Sequence, residues 1–234
     1  VNLKIVIVEL KAETDLRWNF DDSAPYFSVP GGSYPRHVKV DPFPAYAHDA
    51  TLVLAEAERV AKAFPLPRPV TFAILDREFL ERTNAYTSID HDYDSKEMPR
   101  PWLATIPMSG KRIPIHPAMT RYLVAHEYGH AVAEHLRRTH GTPTEKPNRE
   151  YDEGKLYEEY RALRGIVDPK SYGGGWHATT SELFANDFRI LVAKSELEFW
   201  PHPGFLRPEK LVDVVEFWKR EVDALAVAEV KLCA

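Results

Sequence analysis

The sequence predicts an α+β chain in which a twisted mixed sheet with an edge strand lies over one buried helix, followed by a C-terminal helical part. Three observations point there. Extended runs rich in β-branched residues fall in the first half, and apolar residues at helical spacing fill the second. Between them, residues 123–136, LVAHEYGHAVAEHL, are apolar nearly all round the helix and so call for burial.

In order along the chain, LKIVIVEL (3–10) reads as a strand and a Pro/Gly-punctuated stretch follows over 21–44. Together they form a β-rich N-terminal segment, 1–45, expected to belong to one unit with a main domain over 46–234, since 234 residues suit a single sizeable core. Asp49 is placed to cap a helix with the stripe Val53, Ala57, Val60 and Phe64, ended by Pro65 and Pro67. VTFAIL (70–75) is a strand. WLATIPMSGKRIPIH reads as two extended runs folded at Ser109 and Gly110; Pro114 cannot donate to a ladder, which makes 112–116 an edge strand open on one side.

Pro117 suits the first turn of the buried helix, which should end near 139–141. A charged helix over 152–163 leads to SYGGGW (171–176), a glycine-rich stretch that reads as a flap over the site or as a flexible connector. SELFANDFRILVA forms the next helix. A last one follows Pro208, with Leu211, Val215, Trp218, Val222 and Leu225 as its inward stripe.

Composition narrows the function. A net charge of −5 without a Lys/Arg cluster argues against nucleic acid, and no apolar run nears the roughly 18 residues of a membrane span. The one cysteine, Cys233, excludes an intrachain disulfide. No signal peptide is visible, so a soluble protein of the cytoplasm, or one secreted after processing, is expected, of open oligomeric state.

The chemistry concentrates in HEYGH. Residues four apart on a helix share a face, so His126 and His130 can aim at one metal ion, with Glu127 beside them to act on water, the arrangement of the HExxH zinc peptidases. Chance supplies only about 0.04 such matches in a chain of this composition. Gly129 in mid-helix marks close packing.

A hydrolytic zinc ion takes three protein ligands. Ala133 and Leu136 stand where a metzincin has Gly and His, and His135 is displaced by one residue. Glu182 shares a polar helix face with Ala185, Asn186 and Arg189; Ala185 would let the helices approach and Asn186 would support a ligating histidine. Two alternatives stand beside it: Glu182 with Thr179 fits a capping box, and Glu150, within the charged NREYDEGKLYEEY, competes as ligand.

HEYGHAV with ELFANDFRIL resembles the gluzincins, a group of zincin-like zinc peptidases. Glu182, Phe184, Ala185 and Phe188 are similar to the glutamate helix of the anthrax lethal-factor-like peptidases, which include the Pro-Pro endopeptidases; Glu182, Ala185, Asn186 and Phe188 are similar to that of the ImmA/IrrE-type peptidases. The resemblance implies a zinc-dependent endopeptidase with His126, His130 and Glu182 as ligands of one Zn²⁺ and Glu127 as base. Where the lethal-factor-like group has a catalytic tyrosine this chain has Gly175, which leaves His177 and Tyr172 as candidates to stabilise the oxyanion.

An extended peptide or protein would lie along the open edge at 112–116. The competing expectations are a catalytically inactive zincin-like scaffold serving as a binding or regulatory module, and a zinc hydrolase of non-peptide amides.

Overall fold

The computed structural model describes residues 3–8, 17–18, 26–29, 32–35, 48–75, 85, 87–91, 102–108, 116–140, 155–166, 179–195, 197, 199–202 and 204–232. Seven strands are seen among them: β1 (Leu3–Val8), β2 (Arg17–Trp18), β3 (Tyr26–Val29), β4 (Gly32–Pro35), β5 (Val70–Leu75), β6 (Ser88–His91) and β7 (Trp102–Met108). The helices are α1 (Ala50–Ala63), α2 (Pro117–His140), α3 (Lys155–Arg164), α4 (Thr180–Leu191) and α5 (Val212–Leu232), the last preceded by a 3₁₀ turn at Pro208–Lys210. The chain is α+β, and none of these helices is long and apolar enough to cross a membrane.

The main sheet has the order β1-β5-β7-β6 and is mixed. β1 runs parallel to β5 with Ile5 opposite Phe72, and β5 parallel to β7 with Phe72 opposite Ile106. β6 returns antiparallel, pairing Ser88 with Thr105 and His91 with Trp102. A second antiparallel sheet joins β2, β3 and β4. Within β5 both faces are covered, Phe72 and Ile74 on one side and Thr71 and Ala73 on the other, as a central strand demands.

The expected hairpin is corrected here. Trp102–Met108 does form a strand, but β5 occupies one of its edges and β6 the other, reinforced by a bridge from Ala85 to Met108. Residues 109–115 lie outside the described residues, and His116, expected to end the edge strand, is in no strand and directly precedes α2. Its carbonyl accepts from the Met119 and Thr120 N–H groups and its Nδ1 accepts from Ala118 N–H at 3.2 Å, which satisfies amides that a helix start leaves orphaned. Among the described residues the edges of the main sheet are therefore β1 and β6, the latter a four-residue strand with no apolar alternation to announce it.

Helix α1 forms where its cap and stripe predict: Asp49 Oδ1 accepts from Thr51 N–H at 2.8 Å, and Val53, Ala57, Val60 and Phe64 are all buried. Helix α2 is buried along nearly its whole middle, from Tyr122 to Ala133, and its Tyr128 hydroxyl donates to the Phe64 carbonyl at the end of α1. Helix α5 meets expectation in part: Trp218 of the expected stripe is buried and Leu211, Val222 and Leu225 pack partly buried against the core, while Val214, Phe217 and Glu221 beside them are buried more deeply. The two large rings set the rotation, because Trp218 packs 4.7 Å from Phe184 and Phe217 5.5 Å from Tyr160, and burying both outweighs the aliphatic stripe beside them.

An ion pair fastens α3 to α4. Arg164, through Nε and Nη2, grips both oxygens of Asp187, to which the Tyr160 hydroxyl also donates. Burial drives the Asp187 carboxyl upward, but the guanidinium fork and the hydroxyl present donors to both of its oxygens and hold it as a carboxylate.

Candidate metal centre

Helices α2 and α4 approach each other closely at Gly129. A Cβ there would stand 2.9 Å from the Ala185 Cα and 3.0 Å from its carbonyl oxygen, so only glycine lets α2 meet α4 backbone to backbone. The mid-helix glycine and Ala185 thus do what the sequence suggested. Their contact sets His126 and His130 on α2 against Glu182 on the first turn of α4.

His126 Nε2 lies 3.0 Å from Glu182 Oε2, and His130 Nε2 lies 3.3 Å from Glu182 Oε1. The two imidazoles are perpendicular, with ring centroids 4.9 Å apart. His126, His130 and Glu182 are the group among the described residues whose ligand atoms, all within 4.8 Å of one another, could hold a metal ion. Donors bound tetrahedrally at 2.0–2.1 Å sit about 3.3 Å from each other, close to the two His–Glu separations, so the cluster could hold an ion such as zinc. His135, on the same helix, is outside the group, and Glu150 lies outside the described residues.

The capping-box alternative is half realised. Thr179 Oγ1 accepts from the Glu182 N–H at 3.3 Å and caps α4, but the Glu182 carboxylate is committed to the histidines. Burial pushes that carboxyl up; the charge of His130 and the hydrogen bonds from His126 and His130 outweigh it and hold the group well below the usual carboxylate range.

Around these three, the structure adds partners that carry no sequence signature. Ser181 Oγ stands 3.1 Å from His130 Nδ1. Thr87, just before β6, has its Oγ1 2.8 Å from both the Oε2 and the backbone carbonyl of Glu127, which pins the buried glutamate in one orientation next to the site. Asn186 does not reach a histidine of the cluster as expected: its Nδ2 donates to the Glu182 carbonyl and lies 3.0 Å from His202 Nε2, and its Oδ1 accepts from the Tyr122 hydroxyl at 3.2 Å. Burial raises that hydroxyl to about 12, against the opposing pull of Arg189, so it remains a donor. His177 and Tyr172, with the whole SYGGGW stretch, lie outside the described residues.

Comparison of the chain with protein-family models, with curated proteins and with solved structures returns no match in any of the three.

Proposed function

We propose that the chain is a zinc-dependent endopeptidase of zincin-like fold and gluzincin ligand set. One observation carries the reading: two imidazole nitrogens and a carboxylate, from two helices locked at Gly129, converge at separations suited to a tetrahedral ion, with a second carboxylate adjacent. Structural zinc would need a fourth protein ligand, and among the described residues the cluster holds three. Three protein ligands with a fourth position left for water is what hydrolysis requires.

When bound, zinc supplies Lewis acidity to water and to a peptide carbonyl. His126, His130 and Glu182 would hold it. Glu127, oriented by Thr87, takes the proton of the attacking water and delivers it to the leaving amine. The oxyanion donor falls to His177 or Tyr172. Thr87 abuts β6, whose outer edge has no partner strand among the described residues, so an extended peptide adding to β6 would run past the base.

The decisive protein is Glu127→Gln. It should bind one zinc per chain as the wild type does and lose about 10²–10⁴ in the rate of peptide hydrolysis, followed on a mixed peptide library by mass spectrometry. Cleavage at the wild-type rate would refute the role of Glu127, and a wild type that retains no zinc after dialysis would refute the site.

A further inference from the structure

A histidine that binds a metal through one nitrogen is ordinarily oriented by a hydrogen bond from the other to a carboxylate, carbonyl or water. His130 fits, through Ser181. His126 does not: its Nδ1 is buried and has no hydrogen-bond partner among the described residues. What touches its ring instead is Tyr122, one turn earlier on α2, stacked at 5.7 Å between centroids with the planes 10° apart.

Tyr122 is itself fixed from several sides. Its hydroxyl donates to Asn186 Oδ1, and the Arg189 guanidinium carbon lies 4.6 Å from its ring centroid. Arg189 is fully buried and spends its donors on neutral oxygens: Nε to Asn186 Oδ1 at 3.2 Å, Nη1 to the Leu197 carbonyl at 2.9 Å and Nη2 to the Phe199 carbonyl at 2.6 Å. The Phe199 ring meets Tyr122 edge-on at 5.8 Å. A cation desolvated against an aromatic face is a strong contact, and here it clamps the ring that faces the ligand.

We propose that Tyr122 is the positioning residue for His126, setting the plane of the imidazole by stacking in place of the missing hydrogen bond, with Arg189 and Asn186 holding the tyrosine. This rests on the metal site proposed above and adds a residue to it that no ligand spacing reveals. The ring matters and the hydroxyl is secondary, which separates this role from general support of the fold.

The test measures zinc affinity by chelator competition, and the visible absorption of the cobalt-substituted protein, for wild type, Tyr122→Phe and Tyr122→Leu. Loss of an outer partner of a ligand typically weakens metal binding about 10–100-fold, and Tyr122→Leu should fall in that range with an altered cobalt spectrum. Tyr122→Phe should stay close to wild type in both. Thermal unfolding in chelator checks that the metal-free variants fold; if Tyr122→Leu does not, Tyr122→Met, also without a ring, takes its place. Wild-type affinity and spectrum in the ringless variant, or an equal loss in Tyr122→Phe, would overturn the assignment. A wild type that binds neither metal is a different result, since it removes the site itself and this inference with it.

Discussion

Helix α4 carries two carboxylates in opposite company. Glu182, on its first turn, is 16% exposed and faces two imidazoles; Asp187, further along, is fully covered and faces a guanidinium and a phenol. Imidazoles can give up a proton and share an ion, whereas Arg164 is permanently charged and offers donors only. The same functional group on one helix is thus a candidate metal ligand at one position and a rivet at the other, and the difference comes from α2 and α3.

The largest effect should separate the two. Asp187→Asn leaves Arg164 buried beside a neutral amide, and breaking such a pair costs about 3–5 kcal/mol, readable as a fall in urea midpoint with zinc stoichiometry preserved in the folded fraction. Glu182→Ala should do the reverse, emptying the metal site while the metal-free protein unfolds close to the wild-type midpoint. Zinc loss in Glu150→Ala alone would transfer the ligand role to that residue.

Next comes pH. His48 is buried, bonded through Nδ1 to Thr120 Oγ1, and burial lowers its pKa to about 4. The folded chain keeps it neutral while the unfolded chain takes up a proton below its ordinary value of 6.5, so stability is complete above 6.5 and declines as pH falls towards 4. The window amounts to about 3 kcal/mol. It should flatten in His48→Gln, followed by denaturant melts across pH in chelator, and this loss precedes any protonation of Glu182, whose carboxyl is held low.

Gly129→Ala sharpens the comparison at the joint between ligand and helix. Helix propensity favours alanine by about 1 kcal/mol, but overlap with the Ala185 backbone cannot be relieved by a rotamer, and a net loss of about 1–2 kcal/mol is expected. Zinc affinity should drop with it, since the donors are carried apart, while the Asp187 pair is untouched. The smallest effect is Thr179→Ala, about 1 kcal/mol from the lost cap, measured by thermal unfolding.

Much of the helical part was legible because caps and periodicity are local. Asp49, Pro117, Thr179 and the α1 stripe place three helix starts correctly, and HEYGH with the polar face at Glu182 names the cluster. What the sequence hides is non-local. Thr87 reaches Glu127 only because β6 pairs with β7 in one register, and nothing in Ser88–His91 distinguishes an edge strand from a loop. The face of α5 was only partly legible because apolar residues surround Trp218 on both sides, and the aromatic cluster of Phe184 and Tyr160 that draws Phe217 inward with it lies on other helices.

The contact at Gly129 joins main chain to main chain, between the two histidines in sequence and one turn from the glutamate. Side chains elsewhere in the core can hop or repack without moving that fulcrum. The spacing of the three candidate ligands is therefore set by main-chain packing, so substitutions at the β6 edge can accumulate without altering it.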